Sequence, residues 1–138
     1  MKALPIISLI CILFIPSCGS GDTLQEQIVG SWDMKQVFRN GEDVTEEHDP
    51  KNTRSITFNV DGTFMSAGFP VGTNTGKWSL DPETKELFID SDAGEDDDSF
   101  WIVSIDDERM TWNGARDFAV GFTLTHARIE KSERLRYE

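Results

Sequence analysis

From Ile28 onward the chain is punctuated by turn-forming residues, and no segment longer than about ten residues has the 3.6-residue apolar period of a helix. The punctuation is Asn40-Gly41, Asp61-Gly62, Asp81-Pro82 and Asp106-Asp107-Glu108, residue types that favour chain reversal through positive φ, fixed φ or local side-chain hydrogen bonds. Between these points the apolar residues alternate. In the first run, Ile28, Gly30, Trp32, Met34 and Phe38 share one face, and Asp33 and Lys35 take the other. A chain written this way is confined to short, half-buried strands.

The alternation predicts eight strands. The first runs from Ile28 to Arg39, and the segments Arg54–Asn59 and Thr63–Phe69 form a hairpin around Val60-Asp61-Gly62. With Gly62 in the left-handed position of a three-residue turn, Phe58 faces Phe64 and Ile56 faces Ser66, which buries both rings. Further strands are expected over Gly72–Leu80, Glu86–Asp90, Ser99–Ile105, Arg109–Asn113 and Ala119–Ile129, the last placing Val120, Phe122 and Leu124 together. Ser99–Ile105 is apolar on both faces. The one long connection, Glu42–Asn52, is polar and carries Pro50 and His48; it is a candidate lid with room for a short helix, and His48 reads as a solvated loop residue. Eight sequential antiparallel strands most economically close into an up-and-down barrel, which removes exposed edges; a two-sheet β-sandwich uses the same strands.

The region before the strands reads as an address. Met1-Lys2 precedes an apolar run over Ala3–Ile15, shorter than the ~20 residues needed to span a bilayer, so residues 1–17 are expected to be a signal peptide. Ile15-Pro16-Ser17-Cys18 resembles a bacterial lipobox, with Pro16 departing from the pattern. The resemblance implies lipidation at Cys18 with palmitate-type acyl chains, each buried methylene contributing ~0.8 kcal/mol of membrane affinity. Gly19 after the cysteine is similar to the pattern of lipoproteins sent to the outer membrane. An ordinary cleaved signal, with Cys18 incidental, is the other reading. Residues 18–27 are then a tether, 28–130 the barrel domain and 131–138 a charged tail. Cys11 leaves with the signal, so the exported domain has neither a disulfide nor a thiolate site. Loss of Lys2 from the 13 basic residues leaves 25 acidic residues in large excess. That charge argues against nucleic acid as a partner and holds the domain off anionic headgroups.

Val29-Gly30-Ser31-Trp32 resembles the Gly-x-Trp that opens the first strand of lipocalins. The run Ile56–Phe64, then Gly76-Lys77-Trp78-Ser79-Leu80, Leu87-Phe88-Ile89 and Met110-Thr111-Trp112 continue the pattern of the lipocalin-like domain of small bacterial lipoproteins. The resemblance covers about Leu24 to Lys131. It implies a barrel, often with a small hydrophobic ligand, and a closure in which Arg128 stacks on Trp32 beside Gly30. Trp78, Phe100, Trp112 and Phe122 are the candidate ligand-lining residues, and each reads equally as core filling. No nucleophile elbow, phosphate loop or zinc spacing is present, so a non-enzymatic module without a cofactor is expected. Asp90, Asp92 and Asp96 offer hard oxygens for calcium, but the spacing departs from an EF-hand loop, and a solvated acidic loop is the plainer reading. Two functions follow: a membrane-anchored carrier of a small hydrophobic molecule, or a closed scaffold whose acidic loops contact an envelope protein or polysaccharide.

Overall fold

The computed structural model describes residues 22–129; the segment expected to be a signal peptide, the expected lipidation at Cys18 and the charged tail lie outside them. After a five-residue helix α1 (Leu24–Ile28), the chain forms β1 (Gly30–Arg39), a two-residue β2 (Glu42–Asp43) and one turn of helix α2 (Thr45–His48). It continues through β3 (Ser55–Phe58), β4 (Thr63–Ala67), β5 (Asn74–Leu80), β6 (Glu86–Ser91), β7 (Ser99–Asp106), β8 (Arg109–Gly114) and β9 (Phe122–Arg128). From β3 to β9 each strand pairs antiparallel with the next, and β1 lies between β3 and β9. The sheet therefore closes as an eight-stranded up-and-down barrel, with β2 a flap on the end of β1.

The β3–β4 hairpin has the expected register. Phe58 opposes Phe64 and Ile56 opposes Ser66; Gly62 sits at φ 85°, and the Asn59 amide donates to the Thr63 carbonyl at 2.9 Å. Strict alternation fails in β1. The pairing to β9 slips between Met34 and Gln36, a bulge that flips the faces beyond it. Val37 is consequently the inward residue at 1 % exposure, and Phe38, expected inward, turns to the outer face. Ile28 is buried as expected, but as the last residue of α1 rather than the first of a strand. The helix begins inside the stretch read as tether, where Thr23 and Glu26 form a capping box: the Thr23 hydroxyl accepts from the Glu26 amide, and the Glu26 carboxylate accepts from the Thr23 amide. At the other end of the chain, a 3₁₀ turn at Asp117–Ala119 precedes β9, so Val120 lies outside the strand at 62 % exposure.

The two ends of the barrel differ. At one, α1 plugs the opening and carries Ile28 into a core of Trp32, Phe58, Leu87, Val103 and Met110. At the other, the connections after β4, β6 and β8 and the start of β3 surround an opening. The Glu42–Asn52 segment packs along the β1–β9 seam, where Val37 N donates to Thr45 Oγ1 at 2.9 Å and Val44 N to the Val37 carbonyl at 2.9 Å. Its residues contribute nothing to the wall of the cavity described below.

Several close approaches of backbone require glycine, Gly68, Gly76 and Gly114 among them. A Cβ on Gly76 would overlap the Asp90 carbonyl oxygen across the β5–β6 pair and come within 2.8 Å of the Phe64 ring. Gly76→Ala is expected to destabilise the fold by about 2 kcal/mol, as inserted atoms do in packed interiors. A lowered urea midpoint with unchanged slope is the readout.

Candidate ligand-binding site

At the open end the interior is not filled. A cavity of about 200 Å³ lies between the walls of the barrel. Its apolar surface comes from inward positions of successive strands, among them Ile56, Phe64, Ile89, Trp101, Trp112 and Leu124. Val71 and Phe118 form part of the rim, and both are largely exposed, as are Phe69 and Val120 in the same two connections. The mouth thus has an apolar lip.

Polar groups on the wall divide into two sets. Some are satisfied by the protein: Trp101 Nε1 donates to Ser99 Oγ at 2.8 Å, and the Asn74 side chain pairs with Ser91 Oγ at 2.9 Å. Others are not. Trp112 Nε1 and His126 Nδ1 are buried without a hydrogen-bond partner, and both residues line the cavity with their rings 4.7 Å apart. Such orphaned groups are uncommon in folded proteins, because each carries the full cost of leaving water.

Arg54, Ser55, Ser66 and Asp97 are the other polar residues of the wall. Inward parity with Ile56 and Phe58 aims the Arg54 side chain into the barrel, and it lines the cavity. Met34 links it to the histidine: Met34 pairs with His126 across β1–β9 and donates its amide to the Arg54 carbonyl at 3.0 Å. Arg54 and His126 therefore stand in one interior row, two strand spacings of ~4.8 Å apart. The guanidinium makes one long hydrogen bond, Nη1 to the His48 carbonyl at 3.4 Å. Among the described residues it has no carboxylate within ion-pair distance. Buried Asp49, the nearest counter-charge, spends its oxygens on the amides of Thr53 and Arg54. Burial pulls the Arg54 pKa below its usual value, Asp49 partly opposing, and an arginine stays charged regardless. For His126, burial first and the Arg54 charge second push the pKa down to about 3, so the imidazole is neutral at ordinary pH.

Of the four aromatic residues expected to line a ligand, the structure brings only Trp112 to the wall. Trp78 is buried near the closed end, its Nε1 donating to the Asn59 carbonyl at 3.1 Å and its ring edge-on to Phe58 at 5.4 Å. Phe100 lies on the outer face, stacked on Phe88 at 4.6 Å beneath the Arg116 guanidinium at 4.5 Å. Strand β7 is apolar on both faces, and alternation alone could not say which face was inside. Phe122 has inward parity but packs beneath α2, against His48 at 5.5 Å and under Arg39 at 5.2 Å. His48, half-buried there rather than solvated, is held below its usual pKa chiefly by that burial.

Gly30, Trp32 and Arg128 meet at the closed end, away from the cavity. The Arg128 guanidinium lies 4.1 Å from the Trp32 ring centroid, donates to the carbonyls of Gln27 at 2.6 Å and Val29 at 3.2 Å, and pairs with Glu108 at 3.1 Å. A Cβ on Gly30 would stand 3.1 Å from Arg128 Nη1. Asp90, Asp92 and Asp96 do not converge. Asp92 accepts from Thr75 Oγ1 at 2.8 Å, Asp96 sits exposed on a 3₁₀ turn, and no three metal-ligating side chains cluster among the described residues.

A closed eight-stranded barrel, plugged at one end and open to an apolar cavity at the other, is the architecture of a lipocalin-type binding domain. Residues 28–112 match the lipocalin-like domain family, and the chain belongs to it. A crystal structure of a DUF4847 family protein from Bacteroides vulgatus has a similar fold, with a TM-score of 0.55 at 15 % identity, covering 75 % of this chain and 95 % of that one. No curated protein matches the chain.

Proposed function

We propose that the domain is a non-enzymatic binding module for one small, mainly apolar molecule, carried on the cell envelope by a lipid on Cys18. The observation that carries the binding reading is the cavity itself, about 200 Å³ with an aromatic and aliphatic wall. A dry apolar cavity of about 150 Å³ accommodates a benzene molecule. The space here therefore suits a body of one or two rings, or a short chain, rather than a long acyl chain. With α1 closing the opposite end and Leu24 only a few residues from Cys18, the tether leaves from the plugged end. An anchored domain then holds its mouth away from the bilayer. Outer-membrane placement rests on the Gly19 pattern.

Native mass spectrometry of the purified protein, followed by solvent extraction, tests the binding reading directly. A stoichiometric small molecule is the expected result. A saturating ligand should also raise the melting temperature by about 10 °C at a hundredfold excess over Kd. A clean protein mass, with no shift across panels of small aromatic and short-chain compounds, would favour the scaffold reading and an envelope-protein partner instead.

A further inference from the structure

We infer that the ligand is a small amphipathic acid, an apolar body ending in a carboxylate, whose head is received by Arg54, Trp112 and His126. The inference rests on the binding reading above and concerns what the polar part of the cavity is built to hold. Three observations carry it. First, the indole Nε1 of Trp112 can only donate, and it is buried on the cavity wall with nothing to donate to. Second, His126, at 2 % exposure, has a partnerless Nδ1 on the same wall, in contact with that indole. Third, the guanidinium of Arg54 faces the same space with a single 3.4 Å hydrogen bond and no carboxylate partner among the described residues. All three lack an acceptor, and a carboxylate reaching this row supplies one once the edges of the indole and the imidazole open toward it.

The charge decides which acceptor. A neutral carbonyl satisfies the indole and the imidazole but leaves the guanidinium short of a counter-ion. A carboxylate accepts through two oxygens and up to four lone pairs, the geometry a planar guanidinium fork matches. Ile56, Phe64, Ile89, Trp101 and Leu124 offer the body no free hydrogen-bonding group, Trp101 Nε1 being spent on Ser99, so the body is mainly apolar, with Ser55 and Ser66 the wall's remaining hydroxyls. Asp97 on the wall opposes an anion at its own position; the head accordingly belongs on the row of Arg54 and His126.

Three probes of matched shape separate the possibilities: 3-phenylpropionate, its neutral amide 3-phenylpropionamide, and propylbenzene, each titrated calorimetrically into the purified protein at pH 7. Tighter binding of the acid than of the amide by at least about tenfold is expected, as for a charge-assisted hydrogen bond in a partly desolvated site. In Arg54→Met that preference for the acid over the amide disappears. Trp112→Phe keeps an aromatic ring, gives up some volume and one donor, and weakens the acid by several-fold relative to propylbenzene. It gives an independent check should the arginine variant not fold. Equal affinity for acid and amide in the unsubstituted protein overturns the carboxylate assignment and leaves the apolar binding module standing. Failure of all three probes to bind overturns both.

Discussion

Replacing Trp32 by alanine is expected to cost about 3–5 kcal/mol, the range found when a large aromatic side chain is deleted from a packed core. The position supports the upper part of that range. Trp32 is 0 % exposed, and its Nε1 donates to the Ile28 carbonyl at 2.9 Å, which fixes the end of α1 against the barrel. Above the ring lies Arg128, whose donors run to the Gln27 and Val29 carbonyls. Deleting the indole opens a void, leaves the Ile28 carbonyl unpaired, and removes the surface on which the guanidinium rests. The plug, the first strand and the last strand are loosened together. Trp32→Phe separates the contributions, since it keeps an aromatic face for Arg128 and loses only the hydrogen bond and some volume. A double-mutant cycle with Arg128→Met should return a coupling of about 0.5–2 kcal/mol. Urea denaturation measures all of these. Trp32 is not on the cavity wall, so the residual folded Trp32→Phe protein should bind ligand with unchanged affinity, and a parallel loss of binding would contradict the separation of the two ends.

The barrel was legible because its strands are punctuated, and the legibility fails where the local code is degenerate. Asp61-Gly62 allows a two-residue or a three-residue turn, but only the latter puts Phe58 and Phe64 on one face and buries both rings, and the structure has that register. The bulge after Met34 has no such signature: Lys35 and Gln36 are both polar, and only the pairing to β9 shows that one of them is extra. Phe100 and Trp101 are both large and apolar, so the choice between them is made by the outer-face stack with Phe88 and Arg116, a tertiary arrangement. Helix α1 was readable from Thr23-Leu24-Gln25-Glu26, a capping box lying in a stretch too short to display a period. Arg54 and His126 were also within reach. Each stands two residues from an inward aliphatic side chain, Ile56 and Leu124, and parity alone places a cation and an imidazole inside the barrel. The cavity was not, because side chains that surround a void and side chains that fill one have the same pattern.

That buried imidazole gives the protein an acid sensitivity that carboxylates alone would not produce. His126 has an ordinary pKa of 6.5, lowered in the folded state to about 3. Between these values the unfolded chain takes up a proton that the folded chain refuses, so unfolding is favoured as pH falls. The stability associated with neutral His126 is fully present above pH 6.5 and is lost progressively as pH drops toward the folded pKa. From pH 6.5 to pH 4.5 the loss amounts to roughly 2–3 kcal/mol. Met34 and Met110, its cross-strand neighbours on β1 and β8, carry no charge, and the one charged group acting on the ring is Arg54, which pushes in the same direction. Asp43, Glu47, Asp61 and Asp81 are also held below their ordinary values by hydrogen bonds to nearby threonines and backbone amides or, for Glu47, by Arg39. Their contribution is lost at more acid pH and is common to any variant of His126. His126→Leu should therefore match the unsubstituted protein's pH dependence below about pH 3 and lack its decline between pH 6.5 and pH 4.5, when urea midpoints are compared across that range. Parallel curves for the two proteins would mean that the folded state admits the proton, either by opening the cavity to water or by turning the ring. A bound carboxylate beside the imidazole would favour its protonated form and offset part of the decline. The same titration repeated with saturating 3-phenylpropionate thus reads the occupancy of the Arg54–His126 row from the stability of the whole barrel.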